Sequence, residues 1–281
     1  MTKMEAMQQA FIRHEGLFLC PHCGGSLRLA NQSLACESGH CFDLSAKGYV
    51  NLAPSGKAFY AADLFAARRD VFERGFFAPL YAALNRLAGK RGGVWLDAGC
   101  GEGSGLRAMG QGADLRIGID LAKEGVRLAS SGAASEGFLW LVGNLAKLPL
   151  ADASVDVLLN VLSPASYTEF DRVLAPSGLL LKVIPGDAYL QELRAAFFQS
   201  TTKEQHSAEP TADIFRRAYP SAQAHTLRYA IEATPALLAN LVEMTPLLQN
   251  VPYEERQRFA AENTIRVTAD FTILSNQQTI D

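Results

Sequence analysis

The clearest pattern along the chain is a series of short apolar runs, most of them ending at an acidic or small residue. They are Val94-Trp-Leu-Asp97, Leu115-Arg-Ile-Gly-Ile-Asp120, Phe138-Leu-Trp-Leu-Val142, Val155-Asp-Val-Leu-Leu-Asn-Val161 and Leu179 to Ile184. Runs this short, rich in branched and aromatic side chains, predict strands buried on both faces. Between 61 and 90 the spacing changes. Leu64, Phe65, Val71, Phe72, Phe76, Leu80, Leu84 and Leu87 keep mostly helical intervals, which predicts an amphipathic helix pair. A short helix is expected over Glu169 to Leu174, a turn over Ala175-Pro-Ser-Gly178 and a helix over Ala188 to Ser200. His206 to Pro210 reads as a loop. Leu227 to Glu232 and Thr264 to Leu274 alternate as strands, and Thr234 to Phe259 reads as helix with a break at Met244-Thr-Pro246. Strands alternating with helices predict a doubly wound parallel sheet, an α/β fold with ligands beyond the carboxyl ends of its strands.

Residues before 60 follow another logic. Leu27-Arg-Leu-Ala30 and Ser33-Leu-Ala35 read as short strands joined by a turn at Asn31-Gln32. Four of the five cysteines lie here, as Cys20-Pro-His-Cys23, then Cys36-Glu-Ser-Gly-His40-Cys41. Taken alone, Cys20-Pro-His-Cys23 also matches a redox dithiol. That motif needs a helix starting at the first cysteine, and Gly24-Gly25 disfavours one. Two short-spaced pairs on two turns instead offer a tetrahedral donor set for a structural zinc ion, with Cys20, Cys23, Cys36 and either His40 or Cys41 as ligands. So small a segment has little core, and a metal would supply its folding free energy. His22 is expected to be exposed.

The most informative run is Asp97-Ala-Gly99-Cys-Gly101-Glu-Gly103-Ser-Gly105. A dinucleotide fingerprint, G-x-G-x-x-G, fails here. Counted from Gly99 its last position is Ser104, and counted from Gly101 it is Leu106. Asp-x-Gly-x-Gly-x-Gly instead resembles the loop of class I methyltransferases that bind S-adenosylmethionine (AdoMet). An acid at the strand end suits the ammonium of its amino-acid tail. Asp120 follows 23 residues later at the end of the next strand, where a carboxylate accepts bonds from ribose hydroxyls. Asn144 stands where this fold places an adenine contact, with Leu121 and Leu145 beside Asp120 and Asn144 in the cofactor set. Asn160, Ser163 and Pro164 end the fourth strand, where this fold lines the methyl-acceptor pocket.

Length, composition and charge narrow the picture further. The chain has 281 residues, 48% hydrophobic and 20% charged, which excludes a mostly disordered polymer. No apolar run approaches the roughly 18 residues of a membrane span. No secretory signal is visible in the first residues, so a cytoplasmic protein is expected. The formal net charge is −3. Residues 1–91 hold 11 Lys/Arg against 7 Asp/Glu, a balance of +4, which leaves −7 for the remainder. The N-terminal third is therefore the expected surface for an anionic partner. Arg68 and Arg69 are candidates for a phosphate or for the cofactor carboxylate.

The whole set resembles the RlmA-type 23S rRNA guanine-N1 methyltransferases, in particular their Gram-positive branch. The resemblance runs over nearly the whole chain after about residue 15. It rests on Cys20-x2-Cys23-x12-Cys36-x3-His40, Lys47-Gly-Tyr-Val-Asn-Leu52, Ala67-Arg-Arg69, the Asp97 to Gly103 loop, Ser163-Pro164, Val183-Ile-Pro185 and Met244-Thr-Pro246. It implies a class I, Rossmann-like AdoMet-dependent methyltransferase with a small N-terminal zinc-binding module. The implied ligands are three Cys and one His, which favours His40 over Cys41. The implied partners are an rRNA hairpin and a second copy in a homodimer, and the lack of a long apolar run adds the expectation of no membrane partner. The expected organisation is a zinc-binding module over 1–58 (its knuckle at about 18–45), a helical bridge over 59–91 and a methyltransferase domain over 92–281. The sequence departs from the pattern at Asn144, where Asp is commoner, and at Pro176-Ser-Gly178, which replaces Pro-Gly-Gly. The overall acidity keeps an alternative in view: a small-molecule methyltransferase whose zinc module is structural only.

Overall fold

The computed structural model describes residues 1–53, 62–132, 137–199, 201 and 206–277. The expected 58/59 boundary, the first residues of the bridge and the end of the helix expected to reach residue 200 lie outside the described residues. In chain order the elements begin with α1 (Lys3–Arg13), β1 (Arg28–Ala30), β2 (Ser33–Ala35), β3 (Cys41–Ser45), β4 (Tyr49–Asn51), α2 (Ala62–Glu73) and α3 (Ala78–Ala88). The central part comprises β5 (Val94–Ala98), α4 (Ser104–Arg107), β6 (Leu115–Asp120), α5 (Lys123–Ala129), β7 (Phe138–Val142), β8 (Val155–Val161), α6 (Tyr167–Val173) and β9 (Leu174–Pro185). The remainder is α7 (Gln191–Phe198), α8 (Glu209–Ala218), β10 (Gln223–Ala233), α9 (Pro235–Met244), a 3-10 turn (Pro246–Asn250), α10 (Tyr253–Glu262) and β11 (Ile265–Ser275). The chain forms two compact units, one of Met1–Tyr60 with Ala88–Leu181 and one of Ala61–Leu87 with Lys182–Asp281.

In the first unit the strand order is β1-β2-β3-β4-β7-β6-β5-β8-β9. The pairs β5–β6, β6–β7 and β5–β8 are parallel, as alternating strands and helices require. Leu96, Ile117, Ile119, Leu139, Val157 and Leu158 are fully buried, so helices and loops cover both faces of the sheet. The ribbon strands β1, β2 and β3 pair antiparallel, with β1 and β2 joined by the expected turn, where Asn31 takes φ 56°. Strand β4 then pairs in parallel with β7, Val50 opposite Leu141 and Asn51 opposite Val142. The Lys47–Leu52 stretch therefore builds a strand of the catalytic sheet from the N-terminal segment.

The N-terminal helix α1 is an addition to the expected elements. Thr2 Oγ1 accepts from Glu5 N at 3.2 Å and Glu5 Oε2 accepts from Thr2 N at 2.7 Å, a reciprocal cap. Its apolar face buries Met7, Ala10 and Phe11, with the Phe11 ring edge-on to Phe18 at 4.8 Å.

In the second unit β10 and β11 pair antiparallel along their full lengths, from Gln223–Ser275 to Ala233–Ile265. Two elements here, and one that begins in the first unit, differ from expectation. Helix α8 starts within the stretch read as a loop, because Pro210 in its first turn lacks only an N–H that the helix leaves unused. The helical stretch over 234–259 breaks at Thr245-Pro246 as expected, but a 3-10 turn follows and a second break at Pro252 precedes α10. Strand β9 begins at Leu174, taking in the expected turn. Its first four residues are exposed or half-buried, where proline and glycine are tolerated.

Candidate zinc centre and cofactor site

Two tight turns build the N-terminal cluster. In the first, Cys20 N donates to Gly25 O at 2.7 Å and Gly24 N to Cys20 O at 2.8 Å, with Gly24 at φ 77°. In the second, Cys36 N donates to His40 O and Gly39 N to Cys36 O, with Gly39 at φ 80°. Glycine takes this left-handed conformation without strain. The turns bring Cys20, Cys23, Cys36 and His40 together, with all ligand atoms within 4.8 Å of one another. Cys23 Sγ lies 3.6 Å from Cys36 Sγ, and His40 Nδ1 lies 3.5 Å from Cys20 Sγ and 3.4 Å from Cys36 Sγ. A tetrahedral ion about 2.3 Å from sulfur and about 2.0 Å from nitrogen sets ligand atoms about 3.5 to 3.8 Å apart. The donor set fits zinc, and four protein ligands leave no open position for catalysis.

Backbone amides face the sulfurs. The Gly25 N–H, with Ser38 and His40, pulls the Cys23 thiol down to about 6, toward the thiolate a metal needs. Burial pushes Cys20 the other way. Cys41 is exposed at the start of β3, outside the four. His22 is exposed as expected and stacks on Phe42 at 5.6 Å.

The glycine loop follows β5. Gly99, Gly101 and Gly103 have φ of 91°, 54° and 81°, so each takes a conformation that L side chains rarely adopt. A Cβ on Gly99 would overlap Ser163 Oγ, so the loop and the end of β8 are in direct contact. A Cβ on Gly103 would lie 2.7 Å from Ala129 Cβ and from the Trp140 ring. Gly103→Val is therefore expected to lower the unfolding free energy by about 2–5 kcal/mol, adding backbone strain to overpacking. A denaturant melt with an unchanged midpoint would contradict this.

Two acids frame the loop. Asp97 is 4% exposed at the end of β5, and its Oδ1 is a buried oxygen that accepts no hydrogen bond. Asp120 ends β6. Its Oδ2 accepts from Gly101 N at 2.9 Å and its Oδ1 from Ala122 N at 2.8 Å. A carboxylate offers about four acceptor positions, a chemistry that suits ribose hydroxyls. Leu121 is an exposed large apolar side chain directly after Asp120. Asn144 is exposed after β7, with its Oδ1 accepting from Ala146 N at 2.9 Å and Leu145 half-buried beside it. These features fit a cofactor carrying an ammonium group, a ribose and a flat base. The same unit thus gathers Asp97, Gly99, Gly101, Gly103, Asp120, Leu121, Asn144 and Leu145 around the carboxyl ends of β5, β6 and β7.

Of the three acceptor-side candidates, Asn160 is fully buried. Its Nδ2 donates to Ala98 O at 2.7 Å and to Pro164 O at 3.0 Å, tying the ends of β5 and β8 together. Leu162 takes φ 53°, a rare conformation for a branched side chain, and so turns Ser163 over Gly99. Pro164 is exposed. Arg68 and Arg69 lie half-buried on α2 in the second unit.

Glu169 and Arg172, on α6, carry contacts that their residue types do not announce. Glu169 Oε2 accepts from Leu148 N at 2.7 Å, and the guanidinium of Arg172 holds that carboxyl below the usual range. Arg172 also donates to Leu148 O, Leu150 O and Asp152 Oδ1. An acid and a base three apart on a helix read as a surface pair, so nothing in the pattern marked these contacts.

Comparison with known proteins agrees with both halves of this description. The zinc-ribbon family described as "RlmA, N-terminal" matches residues 18–57, and a methyltransferase domain family matches residues 96–181. YxjB of Bacillus subtilis (strain 168), provisionally named a 23S rRNA (guanine-N(1)-)-methyltransferase, is 36% identical over 273 residues, covering 92% of this chain and 96% of that protein. The 23S rRNA (guanine(748)-N(1))-methyltransferase of Streptomyces fradiae is 31% identical over 271 residues, covering 90% and 95%. Among solved structures, a methyltransferase provisionally assigned to antibiotic biosynthesis in Anabaena variabilis superposes with a TM-score of 0.53 at 11% identity, over 72% of this chain and 97% of that one. That likeness shows the class I methyltransferase fold, and with the two family matches it makes AdoMet and zinc the cofactors of this protein. On its relatives, its zinc ribbon and its methyltransferase domain, the chain belongs to the RlmA-type 23S rRNA (guanine-N1)-methyltransferase family.

Proposed function

We propose that this protein transfers a methyl group from AdoMet to N1 of a guanine in a hairpin of 23S rRNA. The observation that carries the reading is the joining of a knuckle of three cysteines and one histidine to a methyltransferase sheet through β4, in one compact unit. The relatives named for this reaction span the full arrangement rather than the catalytic half alone. The positive balance of residues 1–91 favours an RNA partner at that end of the chain. Among the described residues, no helix is long and apolar enough to cross a membrane. A cytoplasmic homodimer completes the reading.

AdoMet supplies an activated methyl group, so the protein contributes position and exclusion of water. Asp97 would hold the ammonium, Asp120 the ribose, and Asn144 with Leu121 and Leu145 the adenine. Guanine N1 lies on the Watson–Crick edge and must be unpaired or flipped to be reached. Asn160 positions rather than touches substrate. Its amide fixes the carbonyls of Ala98 and Pro164, and with them the segment carrying Ser163 and Pro164 against the glycine loop. Ser163 and Pro164 would then border the base.

Asn160→Ala is expected to slow methyl transfer by about 10–100-fold, the effect of a small misplacement, with AdoMet affinity nearly unchanged. Equal losses in both would contradict a positioning role. The proposal itself is tested by binding unmodified 23S rRNA fragments at several salt concentrations. Several phosphate contacts predict a steep fall of affinity with salt. Methylation of small acceptors with no salt-dependent RNA binding would favour the small-molecule alternative.

A further inference from the structure

The zinc turn is hydrogen-bonded directly to the segment that follows the adenine-side residues. Leu19 N donates to Pro149 O at 3.0 Å, and Ala151 N donates to Leu17 O at 2.8 Å. Phe18 and Leu150 form an antiparallel bridge between them, and both are almost fully buried. Lys147 Nζ reaches Pro21 O, inside the Cys20–Cys23 turn, at 2.5 Å. The path from this ladder to a metal ligand is short, since Leu19 adjoins Cys20 and bridges back to Ser26 across the turn. On its other flank the same segment is gripped by Glu169 and Arg172, through Leu148 N, Leu148 O and Leu150 O. Strand β4, which follows the knuckle, pairs with β7, and Leu52 N donates to Val142 O at 2.8 Å, two residues before Asn144. Residues 143–151 are thus bracketed by the N-terminal segment at both ends.

We propose that the zinc centre is a positioning device for the cofactor site: by fixing residues 17–21 it holds the 144–151 segment in the conformation that receives the adenine, with Lys147 as the link into the metal turn. The inference rests on the cofactor assignment above and extends it. An ion binding Cys20 and Cys23 fixes the turn that adjoins residues 17–19 at once. Without the metal the 17–21 edge frays, and the 144–151 segment loses the ladder to Leu17 and Leu19 while the grip of α6 remains. Part of the AdoMet binding free energy then goes into ordering it.

The test measures AdoMet affinity by calorimetry and amide hydrogen exchange on the full chain, before and after stepwise zinc removal by a chelator. The expected result is AdoMet binding at least about tenfold weaker, with Leu19 and Ala151 amides deprotected while Leu96 and Ile117 stay protected. If the chelated chain unfolds throughout, Lys147→Met decides, since it leaves all four ligands in place. AdoMet affinity reduced at least about threefold at one zinc per chain supports the proposal. Unchanged affinity in that variant, or in a folded zinc-free chain, overturns it. Zinc-loaded wild type that binds no AdoMet overturns the cofactor reading as well, so the two failures are told apart.

Discussion

Asp120→Ala is expected to weaken AdoMet binding by at least about 100-fold. In the wild-type chain one carboxylate serves two purposes. It accepts the Gly101 N–H and the Ala122 N–H, fixing the glycine loop and the start of α5, and in the proposed site it would also accept from the ribose hydroxyls. Hydrogen bonds to a charged group contribute about 1.5–3 kcal/mol each, and about 1.4 kcal/mol is a factor of ten in affinity. Losing the ribose bonds alone gives the 100-fold estimate, and the freed Gly101 adds to it. Asp120→Asn keeps an acceptor but substitutes an amide for the second oxygen, so it should fall between the two. Calorimetric titration of each variant checks this. An Asp120→Ala protein with near-wild-type affinity would remove Asp120 from the cofactor site.

The second large effect concerns Cys36→Ala. Structural zinc contributes on the order of 10 kcal/mol of folding free energy to small ribbons. Cys36 Sγ sits 3.6 Å from Cys23 Sγ and 3.4 Å from His40 Nδ1, as one of the four donors. Its loss should reduce metal content from one zinc per chain to near zero. It should also expose Phe18, Leu27 and Leu34, which are buried around the ribbon, to limited proteolysis. Cys41→Ala is the matched control. Cys41 is exposed and outside the quartet, so zinc should be retained. Metal analysis showing the reverse, zinc kept in Cys36→Ala and lost in Cys41→Ala, would put Cys41 in the place of Cys36 and contradict the quartet.

Much of the catalytic unit was readable from side-chain pattern. The five apolar runs became strands because fully buried parallel strands are the arrangement that hides every side chain of such a run. Asp97 and Asp120 were legible because an acid ending an apolar strand stands at the carboxyl edge, where ligands bind. The cysteine spacing predicted the cluster but not its fourth member, since His40 and Cys41 are neighbours in sequence. The turn geometry separates them by directing Cys41 into β3. What stayed hidden were relations that backbone makes. The ladder from Leu17 and Leu19 to Pro149 and Ala151 uses only main-chain groups, which leave no mark on residue type. Strand β4 has just three residues, too few for a periodicity to register. Helix α1, by contrast, carried a signal that could have been used, the Thr2-x-x-Glu5 cap.

A zinc-stabilised chain that moves the AdoMet methyl group to an RNA guanine should leave a mark that can be read on the RNA. Transfer of labelled methyl from AdoMet to unmodified 23S rRNA, followed by primer extension across the product, tests it most directly. A methyl group at N1 blocks the Watson–Crick edge, so reverse transcriptase is expected to halt at one new position, and only with zinc-loaded protein. Label recovered in the RNA without any new stop, or tight AdoMet binding with no label in RNA at all, would contradict the account.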